Sequence, residues 1–154
     1  MNSFNKKLND KLNKLNYKFK KKPILIGGMA LEYYGVRETG HDVDFIISQD
    51  DKFVLLKKGY KLNLFGGKTE SDVDATFTNI DKTNIDLAVS MNQYKYHFFA
   101  QNAQKVSGNT KVLVASLEDL LLLKVIAEKY SKEKKHAKDV KLILDKIAEV
   151  NYKK

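Results

Sequence analysis

A chain of 154 residues can bury a core of its own and has the length of one domain. It contains no cysteine, which excludes disulfides and thiolate metal sites, and no run near the roughly eighteen apolar residues of a membrane span. Formal net charge is +9 at pH 7, and the polar, lysine-rich start lacks a signal-peptide apolar stretch, so the expectation is a cytoplasmic protein with no membrane partner.

Residues 1–22 carry eight lysines against Asp10 alone. Within them Phe4, Leu8, Leu12, Leu15 and Phe19 recur at spacings of four, four, three and four, which predicts a helix over Asn2 to Phe19 covering the core edge. Pro23 to Ile26 reads as a strand ending at Gly27 and Gly28, where the backbone can turn sharply and approach a ligand. Met29 to Tyr34 reads as a short helix whose first N–H groups point over that turn, a site suited to an anion. Tyr33 and Tyr34 either stack on a base or belong to the core.

Arg37 is the single arginine. Its planar fork either clamps a phosphate or pairs with Asp42 or Glu38 to shape the loop. His41 faces a phosphate or solvent. Val43 to Ile47 reads as a buried strand, with Asp42 and Asp44 on one face. Two such carboxylates repel unless a cation or proton joins them, and Mg²⁺ is commonly held by one or two carboxylates plus the phosphates of a substrate.

Gln49 to Lys58 is predicted as a helix with Asp50 and Asp51 in its first turn and Gly59 as its stop. Gly66-Gly67 marks a turn, and the second Asp-x-Asp pair, Asp72 and Asp74, reads as a polar strand entry. Phe77 to Ile80 and Ile85 to Val89 are expected to form an antiparallel hairpin that brings Asp86 beside the first aspartates. Lys111 to Ala115 is extended. Ser116 caps an apolar helix running to Ile126 or Tyr130, and within it Lys124 either extends to solvent or points at phosphate. After a charged break over Ser131 to His136, a last amphipathic helix carries Val140, Ile143, Ile147 and Val150. Asp139 is placed in its first turn, in a structural or a catalytic role. Lys124 to the end carries ten lysines against five acids, which describes a solvated face or a nucleic-acid footprint.

Strand, Gly27-Gly28, short helix and then Asp42-x-Asp44 at the next strand resemble the first motif of the nucleotidyltransferase superfamily, in particular small bacterial members of toxin–antitoxin and phage-defence systems. Arg37 and Thr39 match the Arg-x-Thr that those members often carry before the aspartates, although the interval from Thr39 to Asp42 is one residue longer than the commonest form. Asp86 in NIDLAVS matches the expected third carboxylate, and Lys124 and Lys138-Asp139 loosely match a C-terminal lysine and basic-Asp pair.

The resemblance implies an α+β fold of a small mixed β-sheet with flanking helices and C-terminal helices. It implies one nucleotidyltransferase-like domain over 1–154, with an N-terminal helix over 1–20, a sheet core over 23–115 and C-terminal helices over 116–150. It further implies transfer of a nucleoside monophosphate from an NTP, ATP among them, to an acceptor hydroxyl with release of pyrophosphate. Asp42, Asp44 and Asp86 would hold Mg²⁺ (or Mn²⁺) and carry the catalysis. Gly27, Gly28, Arg37, Thr39 and Lys124 would bind the nucleotide, with Asp139 and His41 as further possible site residues. The acceptor is an RNA 3′ end, a protein or a small molecule. A reading from another class is a non-catalytic module that keeps the fold and binds RNA or a partner protein. Nucleotide choice and oligomeric state are not encoded in these motifs.

Overall fold

The central strands are almost wholly apolar, so they require cover on both faces. In the computed structural model, which describes residues 3–64, 75–89, 94–130 and 135–153, they form the middle of a mixed seven-stranded sheet flanked by helices. Chain order is α1 (Ser3–Leu12), β1 (Ile24–Ile26), α2 (Gly27–Tyr33), β2 (Val43–Ile46), α3 (Gln49–Lys57), β3 (Asn63–Leu64), β4 (Ala75–Phe77), β5 (Ile85–Val89), α4 (Lys95–Asn102), β6 (Gln104–Val106), β7 (Asn109–Val114), α5 (Leu117–Tyr130) and α6 (Lys135–Tyr152). The sheet order is β3-β4-β5-β2-β1-β7-β6. β1 runs antiparallel to β2 and parallel to β7, β2 is parallel to β5, and β4 and β5 form the expected antiparallel pair. This is an α+β architecture. Among the described residues, no helix is long and apolar enough to cross a membrane.

Several elements differ from their sequence expectation, each for a tertiary reason. The first helix stops at Leu12 instead of continuing to Phe19. Its last turn tightens through Leu15, and beyond that amides are captured from elsewhere: Asn16 donates to Asp81 Oδ2 at 2.8 Å, and Lys20 and Lys21 donate to the Asp51 carboxylate at 2.7 and 3.2 Å. Leu15 and Phe19 still pack on the core, but from an irregular strap.

Residues 95–106, left without an element by periodicity, form α4 and β6, and of the aromatic run in α4 only Phe99 is fully buried. The last helix begins at Lys135, before the expected end of the charged break, so Asp139 lies beyond its first turn. Gly66-Gly67, Asp72 and Asp74 fall outside the described residues.

One buried cation carries a testable cost. Lys95 is buried at the start of α4 with Nζ 5.6 Å from the Phe99 ring centroid, and burial lowers its pKa to about 8. Below pH 8 both folded and unfolded chains hold the proton, and the folded one bears the desolvation. Between 8 and the unfolded value near 10.4 the unfolded state binds more protons, so stability rises with pH. Lys95→Met is therefore expected to stabilise the fold at pH 7 by on the order of 2 kcal/mol. Chemical denaturation across pH should show this gain shrinking above pH 8 and vanishing above about 10.4; a gain that does not change with pH would refute the assignment.

Candidate functional site

Every residue of β2 and β5 is buried except Asp44 and Asp86. The pairing sets these two opposite each other, Asp44 against Asp86 in the parallel β2–β5 ladder, and sets Ile26 at the end of β1 against Asp44 from the other side. Residues in register share a face, and neighbouring strands lie about 4.8 Å apart. The two carboxylates and the start of the glycine turn therefore form one row across three strands, at the single level where the central sheet is open.

Asp42 is exposed just ahead of β2, and His41 is exposed beside it. Asn79 N–H donates to Asp86 Oδ1 at 2.7 Å.

The glycines are required by contact as well as by conformation. Gly27 has φ +68, and a Cβ there would lie 2.6 Å from Asp44 Oδ2; at Gly28 a Cβ would lie 2.5 Å from Thr39 Oγ1 and 3.3 Å from Arg37 Nη1. Gly27, Gly28, Thr39, Arg37 and Asp44 are thus brought together, as their order in the chain led us to expect. No side chain caps the first turn of α2. Gly27→Ala is expected to cost about 2 kcal/mol, from left-handed strain plus the clash with Asp44. A thermal melt should show a clear drop in Tm, and a melt like the wild type would mean that Asp44 moves aside freely.

Arg37 makes its ion pair with Asp139, a partner the sequence did not suggest, and meets Glu38 only at its backbone. Its Nε and Nη2 donate to Asp139 Oδ1 and Oδ2 at 2.7 and 3.0 Å, and Nη1 donates to the Glu38 carbonyl at 2.9 Å. Lys124 Nζ reaches the same carboxylate, 3.0 Å from Oδ2. Asp139 is 3% exposed, so a buried acid bridges two cations and ties α5, α6 and the loop before β2 behind Gly28.

Burial pushes the Asp139 carboxyl up, but the hydrogen bonds from Arg37 and Lys124 outweigh it and hold the group below its ordinary value. The Arg37 guanidinium is raised in turn, chiefly by its hydrogen bond to Asp139. In this arrangement Lys124 points to Asp139, and Asp139 is a cross-link.

Two supports were not visible in the motifs. Glu32 of α2 accepts from the Thr39 amide at 3.3 Å and pairs with Lys7 at 3.3 Å, fixing the loop. The turn that presents Asp86 has four positive φ values at non-glycine residues, Asn79, Asp81, Lys82 and Asn84. Asn and Asp tolerate that conformation best, and Asp81 anchors the turn through Tyr60 Oη and the Asn16 amide. The run Asn-Ile-Asp-Lys-Thr-Asn was the available signal. Tyr33 packs on Phe4 and Tyr34 donates to the Ala115 carbonyl at 2.6 Å, so both rings serve the framework.

Among the described residues no three His, Cys, Asp or Glu side chains gather closely enough to hold a metal ion, so Asp42, Asp44 and Asp86 do not form a ready three-carboxylate group. The paired Asp44 and Asp86 oxygens fit a hard divalent cation that keeps waters and phosphate oxygens as its other ligands, as Mg²⁺ does. They do not fit zinc, which takes four mostly nitrogen and sulfur ligands. Compared with known protein families and with curated proteins, the chain matches none of them.

Proposed function

We propose that the chain is a metal-dependent nucleotidyltransferase of the cytoplasm, moving a nucleoside monophosphate from an NTP to an acceptor hydroxyl with pyrophosphate as the leaving group. The observation that carries this reading is the row of Ile26, Asp44 and Asp86 across β1, β2 and β5, with Gly27 directly after Ile26 and against Asp44. Three neighbouring backbone and carboxylate positions at one open level suit a triphosphate held by a glycine turn next to a divalent ion.

Asp44 and Asp86, with Asp42 just ahead, would hold Mg²⁺ or Mn²⁺. When bound, such an ion neutralises charge on the phosphates and acidifies an oxygen nucleophile. The chain's own contribution is position. Gly27 and Gly28 let the backbone approach the phosphates, and the Arg37–Asp139–Lys124 cross-link fixes the loop that covers Gly28. Asp86 keeps Oδ1 on the Asn79 amide, which leaves Oδ2 to accept the acceptor proton. The acceptor class is an RNA end, a protein or a small-molecule hydroxyl, and a place in a toxin–antitoxin pair belongs to the same proposal.

A second reading has one observation in its favour: Arg37 and Lys124 are both engaged by Asp139, as in a module that binds a partner without turnover. Calorimetric titration of the four NTPs, with Mg²⁺ and with chelator, separates the two. Metal-dependent binding of an NTP supports the transferase, and no binding under either condition favours the module.

A further inference from the structure

A second chemistry-bearing surface lies at the opposite end of β2, where Ser48 stands four residues, about 13 Å, beyond Asp44. There the strap of residues 17–22 crosses α3 and is stitched to it by Asp51, which is fully buried and accepts from Tyr17 Oη, the Lys20 and Lys21 amides and Ser48 Oγ. Asp50 pairs with Lys21 at 3.6 Å. With those two acids engaged, exposed Lys18, Lys20 and Lys22 on the strap and Lys58 just past α3, its Nζ 5.7 Å from the Tyr17 ring centroid, make a positive face.

Exposed aromatic side chains accompany that charge, Tyr94 in a pocket with Lys21 and Phe53 under Lys52. Phe53 on α3 is 61% exposed and Tyr94 68% exposed. Beside the strap a pocket of about 210 Å³ is lined by Tyr94, Tyr96 and His97 together with Ser48, Gln49 and the Lys21–Asp50 ion pair, with room for one flat heterocycle. Tyr96 is held in place by its hydroxyl, which donates to the Lys22 carbonyl at 2.6 Å.

We infer that this face binds a single-stranded nucleic acid, with phosphates along the strap lysines and one unpaired base in the Tyr94–Tyr96–His97 pocket. Lysines gain affinity from phosphates by releasing counterions, and exposed rings supply stacking platforms that accept any base. Both components are present, and they are adjacent. The inference stands independently of nucleotidyl transfer, because none of these residues belongs to the Ile26–Asp44–Asp86 row or its glycine turn.

The test is fluorescence anisotropy of a labelled RNA of about twelve nucleotides, its DNA counterpart and its duplex, from about 50 to 200 mM salt. The full chain should bind the single strands more tightly than the duplex. Lys18→Ala/Lys20→Ala/Lys22→Ala should weaken binding at least about tenfold and reduce the salt slope by about 2, at roughly 0.7 per phosphate contact. Tyr94→Ala should weaken binding by about 5- to 100-fold with the slope unchanged. Lys141→Ala, on α6, should bind like the wild type. Circular dichroism checks that each variant is folded. The inference is overturned if the single strands do not bind, or if the triple variant matches the wild type. Equal binding of polyglutamate with Tyr94→Ala silent also overturns it, in favour of an acidic protein partner.

Discussion

Exchanging both Asp44 and Asp86 for Asn is expected to abolish Mg²⁺-dependent NTP binding and any nucleotidyl transfer while leaving the fold as stable as before, or more so. The two carboxylates stand opposite each other across adjacent strands, and like charges at that spacing destabilise each other. Asn keeps the shape, and its carbonyl still accepts from the Asn79 amide that now meets Asp86 Oδ1. The unliganded variant should therefore gain about 0.5–1 kcal/mol in a denaturant titration. Its affinity for Mg²⁺–NTP should fall at least about a hundredfold, because the anionic ligands that compete with water for a hard cation are gone. Opposite signs in the two measurements distinguish a functional pair from a structural one. A variant that binds Mg²⁺–NTP like the wild type would remove the basis of the transferase reading, and a variant that unfolds would make the pair structural.

The second large effect is expected at Asp139. Removing this carboxylate as Asp139→Ala leaves Arg37 and Lys124 facing each other in a site where Lys124 is only 14% exposed. Deleting one partner of a buried charge cluster costs about 3–5 kcal/mol, a large part of the total stability of about 5–15 kcal/mol for a domain. A thermal melt should drop by about 10 °C or more.

The pH dependence has a defined sign. The folded pKa of Asp139 is depressed by Arg37 and Lys124 despite burial, so its stabilisation is present above the unfolded value near 3.9 and is lost as pH falls through the lower folded value. The wild type should lose stability below about pH 4 more steeply than Asp139→Asn does. An apolar triple variant, Asp139→Leu/Arg37→Met/Lys124→Met, should recover most of the loss, because matched apolar groups replace buried ion clusters well. A drop below about 1 kcal/mol for Asp139→Ala would assign the cluster to the solvent-screened class.

What periodicity and short motifs could report, they reported well at the centre of the molecule. β2 and β5 announce themselves as apolar runs interrupted by one aspartate each, and α3 and α5 by an acidic first turn and a serine cap, with Ser48 and Ser116 accepting the Asp51 and Asp119 amides. The order of Gly27, Gly28, Arg37, Thr39 and Asp44 already implied that they meet, because a turn, one short helix and an antiparallel return bring the chain back to its start within a few residues.

Other features depend on partners far away in the chain, and local pattern carries no trace of them. Arg37 lies 102 positions from Asp139. Sequence alone could name the lone arginine as significant while leaving open whether it grips a phosphate or pairs with Asp42 or Glu38 in its own loop. The first helix is a clearer case. Its stripe of Phe4, Leu8, Leu12, Leu15 and Phe19 is helical in spacing, yet the regular helix ends at Leu12, its last turn tightens through Leu15, and from Asn16 onward Asp81 and Asp51 supply acceptors for the amides of Asn16, Lys20 and Lys21.

The sequence by itself determined which residues are apolar, where the backbone must turn, and which carboxylates and glycines stand near one another, because those properties act over a few residues. Only the tertiary structure decided that Asp44 and Asp86 share one open row, that Asp139 holds both Arg37 and Lys124, and that the strap lysines lie beside an aromatic pocket. Register, burial and charge pairing arise between segments, and their energies exist only once those segments are packed together.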